Sequence, residues 1–457
     1  MRCLTKFAAD LGNNHAVKFR ETVFVLMTLM LPVDQLKIGM YVAQLDRPWL
    51  DTPFLFQGFY IRDADEINEL KEYCEHVFVD KESLTGAPPD LGSTGLFLLN
   101  KATGEKPGKK RFGLHSLVKI FKKQDAGTAS TEDDDVYKIT TSLKEETPVA
   151  SGVHREAIVT VRNVMQGLRS TGVIDMSSLQ KAITPMVDSV LRNPAALACL
   201  MRMQKKDDYL YHHSIASTVW ATILGRQIGL RREDLDVIAL GAMLLDVGKT
   251  QVPIELLTRP AELNDTEMDL MRRHVEFGLK ILNEAGDVDK RVIEMVANHH
   301  ERYNGTGYPA GLQGNTIPVF GRIAGIVDAY DAMITTRPYA QLMSSFDALR
   351  ALRLLADVEF QAEIIEQFIR AIGVFPTGTL VELNTGEVAI VTGQNRIRRL
   401  RPQVMVIMGP EKQLLDEFRV VNLNEEKTTE DGTHSIWISH GLPPGSHGID
   451  PTEFYLD

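Results

Sequence analysis

Five of the twelve histidines in this 457-residue chain fall between residues 212 and 300, interleaved with spaced aspartates, glycines and one lysine. No other stretch constrains the fold as strongly, because imidazoles set on apolar helical runs need partners once they are buried. In order, the pieces are Tyr211-His212-His213-Ser214, Leu244-Leu245-Asp246-Val247-Gly248-Lys249, Arg273-His274, His299-His300-Glu301-Arg302, Gly305-Thr306-Gly307-Tyr308-Pro309, then Asp328, Asp331 and Arg337-Pro338-Tyr339. His213 alone reads more readily as a satisfied core histidine than as a ligand. The pair His299-His300 at the end of an apolar helix does not, since neither packing nor solubility asks for both. Neutral imidazole and carboxylate hold divalent transition metals while leaving positions open for water and phosphate oxygen, so the pattern points to a metal-dependent hydrolase.

Around these motifs the hydrophobic period is helical. Ile158, Val161, Val164, Met165 and Leu168 recur at three and four residues, as do Leu179, Ile183, Met186, Val187 and Val190. The pattern continues through Ala195–Met203, Ile215–Ile228, Leu235–Leu245, Glu267–Leu282, Arg291–Asn298, Ile323–Met333 and Phe346–Ala356, which predicts an all-α domain over 148–375. A net charge of -11 argues against a DNA or RNA binder, which would present a basic face. An anionic substrate must then be met by local metal and Arg or Lys. Cys3, Cys74 and Cys199 show no paired spacing, which argues against disulfides and thiolate zinc and fits a reducing cytoplasm.

The order and spacing of His213, Asp246, Lys249, His274, His299-His300, Gly307-Tyr308-Pro309 and Asp328 resemble the HD-GYP domain, a branch of the HD phosphohydrolases that degrades cyclic di-GMP in bacteria. The resemblance covers residues 195–375. It implies that His213, Asp246 and Asp328 belong to one metal site and that His274, His299 and His300 serve a second, with Asp246 bridging. One or two iron or manganese ions would activate water and neutralise charge on a phosphodiester. Lys249 would stabilise transition-state charge; it also reads as an ordinary surface lysine after Gly248. Gly307, Tyr308 and Pro309 would form a substrate loop, with Tyr308 against a guanine or simply structural, and Arg337 and Tyr339 would contact ligand. Where the family often carries a lysine, Gln341 stands here. The family's adjacent His-Asp pair reads Leu245-Asp246 in this chain, and leucine offers a metal no lone pair. His212 is no substitute, because adjacent helical residues point about 100° apart. The resemblance therefore implies hydrolysis of cyclic di-GMP to pGpG or GMP, impaired at Leu245, or else an inactive cyclic di-GMP receptor. A hydrolase acting on another nucleotide is the third alternative, which the Gly-Tyr-Pro loop argues against. Diguanylate cyclase (GGDEF) proteins are implied partners, and a homodimer is compatible.

The flanks read differently. Residues 1–30 are expected to be an extension, or an upstream start with Met30 near the natural beginning. Their apolar run Val23–Leu31 is too short to cross a bilayer, which takes about 20 residues, so no membrane association is expected. Residues 31–83 alternate as a small α/β module, with strands at Met40–Leu45, Phe54–Phe59 and Val77–Val79 and a helix at Asp63–Tyr73. Leu36–Val42 with Trp49 and Phe54–Phe59 resembles a domain of unknown function found ahead of HD-GYP domains. Residues 84–147, rich in Gly, Pro, Ser, Thr and Lys and carrying the solvated run Thr131–Asp135, read as a partly disordered linker with an amphipathic helix near Phe112–Phe121. Residues 376–457 are expected to be β-rich: a hairpin turns at Asn384-Thr385-Gly386, strands follow at Val404–Met408 and Ser435–Ile438, and the last twenty residues are loose.

Overall fold

The computed structural model describes residues 28–38, 40–46, 59–61, 64–80, 137–202, 209–259, 263–335, 342–395, 400–424, 436–449 and 451–454. It divides into two compact units, one drawn from Met1–Lys109 with Asn395–Arg401, the other from Lys110–Gln394 with Pro402–Asp457. Arg337, Tyr339 and Gln341, residues 54–58 of the strand expected at Phe54–Phe59, the run Thr131–Asp135 and the segment Phe112–Phe121 lie outside the described residues.

The first unit is an antiparallel sheet of β1 (Thr28–Pro32), β2 (Tyr41–Leu45), β3 (Phe59–Tyr60) and β4 (His76–Asp80), in spatial order β1-β4-β2-β3, with one helix, α1 (Ala64–Tyr73). Val42, Leu45, Ile61, Leu70, Val77 and Val79 form its buried core. Strand β1 begins inside the stretch expected to be an extension. Its pairing with β4, Thr28 opposite Asp80 through Pro32 opposite His76, satisfies backbone groups that an unpaired segment would leave to water.

The second unit is mainly helical: α2 (Leu143–Thr171), α3 (Met176–Arg192), α4 (Pro194–Arg202), α5 (Tyr209–Gln227), α6 (Arg232–Leu244), α7 (Ile254–Leu257), α8 (Asp265–Arg272), α9 (His274–Ala285), α10 (Lys290–Asn298), α11 (Val319–Ile334), α12 (Ser345–Leu354) and α13 (Ala362–Ile372). Helix α2 starts at Leu143, fifteen residues before Ile158, where its apolar period becomes visible, and inside the expected linker. A capping box between Ser142 and Glu145 starts it, a feature that contributes about 1 kcal/mol. Glu146, 1% exposed, then ties it to α3 through Arg192 and Ser189. The span expected as one helix over Glu267–Leu282 is two, α8 and α9, broken at Arg273. At that break the His274 ring turns back onto the Met271 carbonyl, 2.7 Å away.

Strands β5 (Leu380–Leu383), β6 (Val388–Gly393), β7 (Gln403–Met408), β8 (Leu414–Asn422) and β9 (Ile438–Leu442) form a five-stranded antiparallel sheet in spatial order β8-β7-β6-β5-β9. The expected hairpin turn is present, with Gly386 at φ +81°, a conformation glycine adopts without Cβ strain. Contrary to the expectation of a loose end, β9 pairs with β5 from Leu380 opposite Leu442 to Leu383 opposite Ile438. Ser435 lies outside the described residues, and the expected strand there begins instead at Ile438.

Candidate metal centre

Four helices and one turn bring the candidate ligands together. Helix α5 carries His213, the single-turn helix Val247–Gln251 after α6 carries Asp246 at its head, α9 opens on His274, α10 ends into His299-His300, and α11 carries Asp328. Gly248 permits this convergence: a Cβ there would lie 1.9 Å from the His274 carbonyl oxygen and 2.5 Å from the Gly278 nitrogen. Only a bare α-carbon lets the Asp246–Lys249 turn pack onto the start of α9.

Asp246, His274, His299 and His300 are all buried, and one donor atom from each lies within 4.8 Å of the others. His274 Nδ1 lies 2.7 Å from the Met271 carbonyl and His299 Nδ1 lies 2.9 Å from the Val296 carbonyl. Carbonyls only accept, so both Nδ1 atoms carry the hydrogen. Burial lowers the pKa of both rings, that of His274 to about 4, which keeps them neutral and leaves each Nε2 as a bare lone pair. These two Nε2 atoms face each other at 3.3 Å. Asp246 Oδ1, 3.4 Å from His274 Nε2, is buried without a hydrogen-bond partner. Three lone-pair atoms turned towards one another in a dry pocket repel unless a cation stands among them, and these residues therefore fit a transition metal. Burial also pushes the His300 pKa well down, with His299 and His274 adding to the effect.

The remaining expected ligands form a second, internally paired group. His213 Nδ1 lies 2.6 Å from Asp331 Oδ2, and its Nε2 lies 3.1 Å from Asp328 Oδ1 and 3.6 Å from Asp246 Oδ2. Burial alone would lower the His213 pKa, but hydrogen bonds to Asp328 and Asp331 carry it up to about 9. Burial would raise the carboxyl pKa of Asp246; the charged Lys249 and His213 outweigh it and hold the group ionised. Lys249 Nζ donates to Asp246 Oδ2, so the lysine supports the carboxylate directly. Leu245, 1% exposed, stands immediately before Asp246. The His212 ring stacks with that of His154 on α2 at 6.2 Å between centroids, an arrangement separate from the His213 contacts.

The glycine loop closes one side. Tyr308 stacks on His300 at 4.6 Å between ring centres, and its amide donates to the His300 carbonyl at 3.2 Å. A Cβ on Gly307 would lie 2.4 Å from the Arg302 nitrogen, so this close approach requires glycine. Pro309 follows through a cis peptide bond. Glu301 anchors the loop by accepting from the amides of Ala310 at 2.7 Å and Leu312 at 2.9 Å.

Sequence reasoning gave no role to Glu301, Asp331 or Trp220, whose indole donates to Asp331 Oδ1 at 3.1 Å. Asp331 was discoverable, since three residues after Asp328 on a helix it shares the same face. Trp220 carried no such signal, because an apolar helix needs no reason for one more aromatic.

The HD-domain family model matches residues 195–364, a domain of unknown function (DUF3391) matches 29–179, and a KOW domain associated with HD domain matches 380–429. A cyclic di-GMP phosphodiesterase of Pseudomonas aeruginosa is 28% identical over 88% of this chain and 91% of its own length. A cyclic di-GMP phosphodiesterase response regulator of Xanthomonas campestris is 34% identical over 33% of this chain and 40% of its own. A 3'3'-cGAMP-specific phosphodiesterase of Vibrio cholerae is 35% identical over 31% and 28%. Among solved structures, an HDG"Y"P protein from Bdellovibrio bacteriovorus matches 75% of this chain and 98% of its own at 15% identity and a TM-score of 0.41. The chain thus carries an HD domain set between a DUF3391 domain and an HD-associated KOW domain, with its histidine, aspartate and Gly-Tyr-Pro motifs in the order that HD-GYP domains show.

Proposed function

We propose that this chain binds cyclic di-GMP at the histidine pocket and hydrolyses it to pGpG or GMP with one or two iron or manganese ions, at a rate reduced by Leu245. The observation that carries the reading is the set of three mutually facing lone pairs on Asp246 Oδ1, His274 Nε2 and His299 Nε2. Asp246, His274, His299 and His300 would hold the metal; bound there, it would supply Lewis acidity, lowering the pKa of water and drawing charge from a phosphodiester. Around it the protein's own groups have separate tasks. The Met271 and Val296 carbonyls fix the tautomers, Lys249 keeps Asp246 ionised, and Glu301 holds the Tyr308 loop over His300. Burial and the neighbouring Asp328 raise the Tyr308 pKa, so the phenol stays neutral beside an anionic ligand.

A second reading, a catalytically inactive cyclic di-GMP receptor, is favoured by the His213 side. With no imidazole at 245 and with His213 engaged by Asp331 and Asp328, the second metal has few ligands left to it. Protein purified anaerobically with iron and manganese replete is expected to hold about one transition metal per chain, and His299→Ala to lose it. Slow turnover of cyclic di-GMP supports the enzyme, and metal-dependent binding without turnover supports the receptor. Parent protein with no metal sinks both. Turnover confined to 3'3'-cGAMP moves the substrate to that relative's class.

A further inference from the structure

We propose that Arg272, set over Tyr308, forms a phosphate subsite at the rim of the histidine pocket that takes the non-reacting phosphodiester of a cyclic dinucleotide; this rests on the cyclic-dinucleotide reading above. Arg272 is the last residue of α8, two positions before His274, so the break that aims the His274 ring also fixes where the arginine stands. Its guanidinium carbon lies 5.5 Å from the centre of the Tyr308 ring, and that ring stacks on His300. Guanidinium, phenol and imidazole thus run in sequence from the surface to the pocket.

Among the described residues, the other cations nearby are engaged or turned to another ring. Lys249 is bonded to Asp246. Arg302 pairs with Glu359 at 3.4 Å, donates to the His299 and Glu301 carbonyls and lies over Phe360. Arg273 meets Glu276 at 3.3 Å in a pair as exposed as that of Arg272, but its guanidinium lies over Phe277 and not over Tyr308. Arg272 has an ion pair with Asp269 at 3.2 Å, but the two side chains are 53% and 72% exposed, so water screens the pair and an entering anion can displace it. A planar guanidinium steadied on an aromatic face offers two parallel N–H groups to a phosphodiester. On a chain of net charge -11, an anionic ligand depends on such local charge. A cyclic dinucleotide carries two phosphodiesters, one for the metal and one left over, which is the group this rim is built to meet.

The test uses the full-length chain loaded with manganese and compares the parent, Arg272→Ala and Arg272→Lys on cyclic di-GMP and on bis(4-nitrophenyl) phosphate, which has a single phosphodiester. Arg272→Ala is expected to raise KM for cyclic di-GMP about tenfold with kcat within about twofold, as loss of a charge-assisted pair should. Arg272→Lys recovers only part of this, and kinetics on bis(4-nitrophenyl) phosphate and metal content stay at parent values. An unchanged KM for cyclic di-GMP overturns the subsite, and so does an equal loss on both substrates or a loss of metal, which would make Arg272 a support of the pocket. If the parent binds without turnover, calorimetric Kd values for cyclic di-GMP carry the same comparison. A parent that neither binds nor cleaves cyclic di-GMP overturns the functional reading itself, whereas parent binding with Arg272→Ala unaffected removes the arginine alone.

Discussion

At residue 245 two opposing effects can be weighed. Leu245 is buried to 1% exposure, and replacing such a leucine with a ring that finds no partner costs about 2–5 kcal/mol. A metal bound at the new imidazole offsets that loss, so Leu245→His is expected to be stabilised selectively by added iron or manganese. Its metal content should rise by about one ion per chain and its turnover of cyclic di-GMP by about tenfold or more, checked by elemental analysis and product chromatography. A folded variant with parental metal content would remove residue 245 from the metal shell. His213 gives a second prediction, for metal-free protein. Its pKa is raised above the ordinary histidine value, so the stability it contributes is fully present below about pH 6.5 and disappears as pH rises through about 9. Parent protein should therefore lose stability across that window in urea titrations, and His213→Gln should lose less. Parallel curves for the two would mean that Asp328 and Asp331 do not hold an imidazolium.

Among the elements, the single-turn helix Val247–Gln251 has little intrinsic stability and depends on close packing against α9. Gly248→Ala forces a Cβ into the His274 carbonyl and the Gly278 amide, so either the turn or α9 must move. Overpacking of this kind costs about 1–3 kcal/mol, and the move separates Asp246 from His274. The expected outcome is a lower Tm together with metal loss, whereas Gly167→Ala, with open space around its Cβ position, should leave metal content intact. The same element shows which features the sequence could disclose. Spacing of Asp246, His274 and His299-His300 was legible because each motif is local. The break at Arg273 was not, because apolar residues continue across it and the interruption comes from a tertiary demand on the His274 ring. Helix α13 went unread although Ile364, Ile365, Phe368, Ile369 and Ile372 repeat at helical spacing, and β8 went unread because its alternating face is largely exposed.

For the whole molecule, the C-terminal sheet is part of the helical unit, and its attachment runs through α4. Gly378 passes so close to Cys199 that a Cβ there would lie 2.6 Å from Sγ, and Phe375 stacks on Phe346 of α12 at 5.0 Å. Arg202 Nη1 donates to the Ala198 carbonyl at 3.2 Å and to the Thr377 carbonyl at 3.1 Å, and its guanidinium lies over Trp220, the residue that braces Asp331 behind His213. Separate opening of the sheet would expose the Cys199 thiol, which burial pushes up to about 11 and thereby keeps unreactive. Alkylation of Cys199, read by mass spectrometry of its peptide in a Cys3→Ser, Cys74→Ser background, therefore reports how often the sheet lets go. Arg202→Met keeps the volume and removes the donors. Two carbonyls lose partners, but the buried Nε and Nη2, which have none, no longer have to be desolvated. These effects partly cancel, leaving a net destabilisation of about 1 kcal/mol, and labelling should accelerate about fivefold. Metal content should not change, because Asp331 holds His213 without help from Arg202. Labelling at the parent rate would mean that the packing at Gly378 and Phe375 anchors the sheet alone, while metal loss would show that the contact through Trp220 reaches the site.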